Sequence, residues 1–96
     1  MIAVIAKIPV QPGKSQTFEA AALELEENVT AHEAGCLLYR MTKSREQIDT
    51  YMNMELYRDQ EALALHQQTP YFHKALEVFK ACLSGTPSVE FFDTLV

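Results

Sequence analysis

The sequence predicts an α+β domain with the element order βαββαβ, on three observations. Two stretches, one from Ser15 and one from Pro70, carry apolar residues at i, i+4, i+7 and i+11, the spacing of an amphipathic helix. Four stretches rich in β-branched and aromatic residues lie outside them, bounded by turn signals. The helices follow the first and third of these strands, which is the split βαβ or ferredoxin-like arrangement: a four-stranded antiparallel sheet with its helices on one face.

The first strand is read over residues 2–10 (IAVIAKIPV), Ile- and Val-rich and closed by the turn signal Pro12-Gly13. The first helix begins at Ser15 and ends between His32 and Gly35, with Phe18, Ala22, Leu25 and Val29 on its apolar stripe and Glu19, Glu24, Glu26 and Glu27 off it. Residues 36–43 and 48–57 form a hairpin across the polar connector Ser44-Arg45-Glu46-Gln47. In the second hairpin strand Ile48, Thr50, Met52, Met54 and Leu56 alternate with Asp49, Tyr51, Asn53, Glu55 and Tyr57, so one face is oily and the other polar-aromatic. Asp59 can cap a short helix through His66, and Thr69-Pro70 caps a longer one. That helix repeats the stripe with Phe72, Leu76, Phe79 and Leu83, and Gly85 suits the position after its end. Residues 88–96 (SVEFFDTLV) close the chain as a fourth strand.

Ninety-six residues accommodate one core, so a single domain over 1–96 is expected. Hydrophobic residues make up 48% and charged ones 22%, an ordinary globular balance. The net charge of −5, with eight scattered Lys and Arg, leaves no basic face for phosphates and excludes nucleic-acid partners. The apolar start stops at Lys7 and Pro9 and reads as a strand rather than a signal peptide. No run approaches the roughly 20 apolar residues of a membrane span. A cytoplasmic protein without a membrane partner is the expectation. Cys36 and Cys82 stand far apart and outside metal-ligand spacing, so both read as buried thiols and no metal site is expected. The three glycines are isolated, which argues against a phosphate-cradling loop and a nucleotide cofactor. With the helices on one face, the other face of the sheet is bare. The first strand is apolar on both sides and Phe91 and Phe92 point opposite ways, so a second copy is the natural cover and a homodimer is expected.

With these elements placed, the whole chain resembles the antibiotic biosynthesis monooxygenase family of dimeric α+β barrel proteins. The resemblance rests on Pro12-Gly13-Lys14 before the first helix, and on Glu33-Ala34-Gly35-Cys36-Leu37 with Tyr39 entering the second strand. It continues through Glu55-Leu56-Tyr57 with Asp59, Ala62-Leu63, His66 and Thr69-Pro70. It implies a dimer with pockets between sheet and helices. For the family's oxygenases it implies a substrate held by polar residues without metal, flavin or other cofactor. Asn53 and Tyr57 fall where polyketide oxygenases of the family resemble one another in an Asn and a Trp four residues apart, and Tyr57 departs from that pattern.

The resemblance thus implies a cofactor-independent monooxygenase that oxidises a small aromatic hydroquinone or polyketide-type phenol with O2. Such chemistry needs a base, hydrogen bonds to the developing oxyanion and a dry pocket. The catalytic candidates are Asn53, as donor to a substrate oxygen; Tyr57, as stacking platform or proton donor; and His66, as proton shuttle. Tyr39, Tyr51 and Phe72 are candidate substrate-binding residues, with Arg40 and Glu55 as rival liners. Against each stands a structural role: an amide tied to backbone, a core aromatic, a helix-end imidazole. Met41, Met52 and Met54, with Phe18, Phe72 and Phe79, read as core, and His32 and His73 as surface.

Two other functions stay open. The segment from Tyr57 through His66 to Tyr71 also resembles the isomerase branch that processes phosphorylated autoinducer-2, although Glu24, Glu26 and Glu27 would repel phosphate. A non-catalytic dimer binding a small ligand also stays open, since fold does not imply function. The haem-degrading branch resembles an Asn, Trp and His set, and this chain has no Trp.

Overall fold

The computed structural model describes residues 1–96. Strands β1 (Ile2–Pro9), β2 (Cys36–Lys43), β3 (Thr50–Tyr57) and β4 (Ser88–Asp93) form one antiparallel sheet in the order β2-β3-β1-β4. Helices α1 (Ser15–His32), α2 (Gln60–Gln67) and α3 (Pro70–Cys82) complete the predicted ferredoxin-like α+β fold. Both anticipated caps form. Asp59 Oδ1 accepts from the Ala62 amide at 2.8 Å, and Thr69 Oγ1 from the Phe72 amide at 3.3 Å.

Three strand boundaries are shorter than expected. β3 starts at Thr50 because Asp49 turns the chain with φ 52°, leaving Ile48 in solvent. β1 ends at Pro9, which has no amide proton, and Val10 bridges to Leu83 instead. β4 ends at Asp93 because its partner strand begins opposite it: Asp93 pairs with Ile2, the first residue of β1.

The two faces of β3 settle which way the sheet is oriented. Tyr51, Asn53, Glu55 and Tyr57 turn inward beneath the helices, while Met52 and Met54 lie exposed on the outer face. The two methionines are therefore not core residues of this chain. Burial on the helix side is supplied by α1, whose whole stripe of Phe18, Ala22, Leu25 and Val29 is sealed against sheet and α3.

Candidate active site

The register of the sheet builds the floor of a cavity of about 200 Å³ between sheet and helices. Two rows of side chains cross the strands side by side. Tyr39, Glu55, Val4 and Phe91 form one row; Met41, Asn53, Ala6 and Val89 form the next. Alanine at the centre of the second row leaves space where a larger residue would fill it. The roof comes from Leu63 and His66 of α2 and from Phe72, Leu76 and Phe79 of α3. The mouth lies toward β4, where Val89 and Phe91 are about half exposed.

Polar chemistry enters this apolar chamber at one end. His66, in the last turn of α2, is 2% exposed, and its Nδ1 lies 3.0 Å from both carboxylate oxygens of Glu33. That carboxylate assigns the ring proton to Nδ1, which donates to it and leaves Nε2 as an acceptor. Nε2 is buried and has no protein partner. Glu33, itself 6% exposed, also accepts from the Tyr71 hydroxyl. The imidazole is boxed by aromatic rings, with centroids at 4.6 Å (Phe72), 5.1 Å (Tyr39) and 5.5 Å (Tyr57).

Backbone joints bring Glu33 and His66 together across 33 residues of chain. The Glu33 amide closes the end of α1 on the Val29 carbonyl, and the Arg58 amide donates to the Gly35 carbonyl, tying the α1–β2 joint to the β3–α2 joint. Gly35 allows this approach: a Cβ there would stand 2.6 Å from Ala62 Cβ of α2.

A second network lies on the floor. The Tyr57 hydroxyl donates to Glu55 Oε1 at 2.6 Å, and Asn53 Nδ2 donates to Glu55 Oε2 at 3.0 Å. Asn53 is 3% exposed, and its Oδ1 is the other buried side-chain atom without a partner. Burial raises the Glu55 carboxyl above its usual range. Burial, then the Glu55 carboxylate, holds the Tyr39 and Tyr57 hydroxyls well above the ordinary phenol value. These tyrosines keep their protons at neutral pH, and Tyr57 donates its own to Glu55. Burial, with the Glu33 carboxylate beside it, likewise pushes the Cys36 thiol up to about 11, so Cys36 is a half-buried thiol rather than a thiolate.

The structure gathers four of the six candidate residues, Asn53, His66, Tyr39 and Phe72, around one cavity. Tyr57 lies one layer behind: fully buried against Val4 and Leu63, it holds Glu55 and does not line the chamber. Tyr51 is elsewhere, its ring tilted against Phe18 at 4.7 Å and its hydroxyl donating to Glu19 Oε2 at 2.5 Å. It shares the inward face but sits past Asn53 toward the sealed half, under α1. Phe72 and Phe79, expected as core, are half-buried walls of the cavity. Arg40 points outward, and His32 and His73 are exposed. Glu33 and Tyr71 are the residues that sequence reasoning missed as site members. The available signal was the place of Glu33 in the Glu33-to-Leu37 stretch of the family resemblance, directly after the end of α1.

The structure thus sets a buried carboxylate–histidine pair beside an apolar cavity that opens toward β4. The model of the antibiotic biosynthesis monooxygenase family matches residues 1–78, and the chain belongs to that family. A protein of Caulobacter crescentus CB15, provisionally described as an antibiotic biosynthesis monooxygenase, superimposes with a TM-score of 0.96 at 37% identity, covering 99% of this chain and 90% of that one. PA3566 of Pseudomonas aeruginosa superimposes with a TM-score of 0.87 at 27% identity, over 99% of this chain and 94% of its own. An uncharacterized protein of Synechocystis is 33% identical over 76 residues, which are 79% of this chain and 51% of that protein, so the chain spans about half the length of this curated relative. No helix is long and apolar enough to cross a membrane.

Proposed function

We propose that the chain is a cofactor-independent monooxygenase that oxidises a small aromatic hydroquinone or phenol with O2, with His66 as its base. The observation that supports this reading is the buried, unpartnered Nε2 of His66, held as an acceptor by Glu33 on a residue that lines an apolar cavity. Nε2 takes the proton of a substrate hydroxyl, and Glu33 stabilises the imidazolium that results. The phenolate passes one electron to O2, and the resulting radical pair combines at a ring carbon to form a carbon–oxygen bond. The peroxide takes up a proton. The ring C–H then loses its proton, the O–O bond breaks, and the departing oxygen leaves as water while the other stays as a new carbonyl. One O2 thus supplies one oxygen to product and one to water. Apolar walls keep bulk water from the radical pair, and Tyr57 and Asn53 hold Glu55 in place beneath it.

The isomerase reading has weaker support, because the cavity lining includes Glu55 and no Lys or Arg to meet a phosphate. The proposal includes a homodimer. Ile5, Leu38, Met52, Met54 and Phe92 are exposed on the outer face of the sheet, an apolar surface that a second copy would cover. Sedimentation equilibrium returning monomer mass at micromolar concentration would remove that part.

The test of the activity is oxygen uptake in metal-free buffer with a panel of hydroquinones and anthrones. Uptake above autoxidation that falls about 100-fold or more in His66→Phe supports the proposal, and equal rates with and without protein refute it.

A further inference from the structure

The second nitrogen of His66 belongs to a different surface from the cavity. Nδ1 donates to Glu33, a buried residue directly after α1 that does not line the cavity. The Glu33 carboxylate has one further side-chain partner, the hydroxyl of Tyr71. The bond from imidazole to carboxylate is buried, and the bond from carboxylate to hydroxyl only partly so. Tyr71, the second residue of α3, is half-buried, and it borders a shallow groove between α1 and α3 that is edged by the exposed Glu24 and Lys74. Three groups thus run from the imidazole to the solvent side of the helices, each bonded to the next. Of the ion pairs in the chain only that with His66 involves Glu33, so no fixed cation opposes protonation of the carboxylate.

We propose that Glu33 and Tyr71 form the route by which the Nδ1 proton of His66 exchanges with water. The Tyr71 hydroxyl turns its hydrogen from Glu33 to a water at the surface, which frees a carboxylate oxygen. The Nδ1 proton moves to that oxygen, breaking the N–H bond and forming an O–H bond. The carboxyl then passes its proton to the Tyr71 oxygen as Tyr71 gives its own to the water. Glu33 is again a carboxylate and Tyr71 again a phenol bonded to it, and one proton has left the ring. Tyr71 carries no charge at any stage, in keeping with the burial and the Glu33 carboxylate that push its ionisation up to about 12. Its use in turnover rests on the reading of His66 as the base: an imidazolium formed at Nε2 returns to a neutral ring by losing the Nδ1 proton outward, without opening the cavity.

The route is read without substrate or oxygen. In ligand-free, isotope-labelled protein the His66 Nδ1 proton gives an imidazole N–H resonance, and its exchange with water is followed by saturation transfer at neutral pH. Tyr71→Phe keeps the ring and removes the hydroxyl, and should slow this exchange about tenfold or more. Backbone amide exchange in α2 should stay within about twofold of wild type. A merely structural hydroxyl predicts the reverse, because a loosened α2 exposes the imidazole and speeds both exchanges. An Nδ1 proton that exchanges as fast in Tyr71→Phe as in wild type, or faster, overturns the route, and so does a resonance broadened beyond detection in both proteins. If Tyr71→Phe fails to fold by circular dichroism, Tyr71→Met carries the same test. Oxygen uptake decides the activity and imidazole exchange the route, so each can fail alone.

Discussion

Helices α1 and α3 carry the same apolar spacing and lie on the same face of one sheet, yet they do different work. The α1 stripe is sealed, each of its four residues at most 2% exposed. The α3 stripe of Phe72, Leu76, Phe79 and Leu83 is only half-buried, because it roofs a cavity instead of filling one. What α3 buries is the neighbouring pair Ala75 and Cys82, small residues that let it press against α1 and the sealed core. Beneath it, Ala6 is too small to fill the space and β4 is a short, exposed edge strand. An apolar helical stripe thus marks a surface that leaves water, and the residues across from it decide whether that surface becomes core or chamber.

The contrast has measurable consequences. Leu25→Ala should cost about 2–5 kcal/mol in denaturant unfolding, whereas Leu76→Ala should cost under about 1.5 kcal/mol and enlarge the space for ligand. Equal losses would mean that both halves are ordinary core. Gly35→Ala should cost about 1–3 kcal/mol, since the new methyl meets Ala62 on a helix that cannot shift without parting His66 from Glu33. Oxygen uptake should fall more than stability alone explains.

Glu55→Gln should run the other way. Burial raises the Glu55 carboxyl, so the folded chain takes up a proton there more readily than the unfolded chain. The group's favourable contribution is present at acid pH and lost as pH rises through its folded value. Removing the charge should raise Tm by a few degrees at pH 8, with the gain shrinking toward pH 4. The smallest effect belongs to Tyr71, whose hydroxyl is pushed up to about 12 by burial and by the Glu33 carboxylate. Its contribution is complete below about pH 10, where a free tyrosine begins to ionise, and is lost between there and about 12. Wild type should therefore lose more stability than Tyr71→Phe when denaturant midpoints are compared between pH 9 and pH 11.

Sequence period was enough to place every element of the fold and both helix caps, because stripes, turns and caps are local signals. The boundaries that moved did so for local reasons that period does not report, such as the positive φ at Asp49. The alternation along β3 showed two unlike faces but not which one turned inward: buried tyrosines read as polar, and the exposed methionines as core. Asn53, His66 and Tyr39 were legible as site candidates through the family resemblance, and Phe72 stood among the candidates without being part of it. Glu33 and Tyr71 were not, since their partnership with His66 depends on joints between elements far apart in the chain. Tyr51 shares its face with Asn53, and only the placement of the sealed half under α1 separates them.

The central claim is that His66, held by Glu33, takes a proton from a bound phenol. It is tested most directly without oxygen, by binding a chromogenic phenol whose ionised form absorbs at longer wavelength, at a pH where the free compound is neutral. The account predicts a phenolate spectrum on binding to wild type, weakened in Glu33→Gln and absent in His66→Phe. A bound phenol that keeps its neutral spectrum in wild type would contradict it.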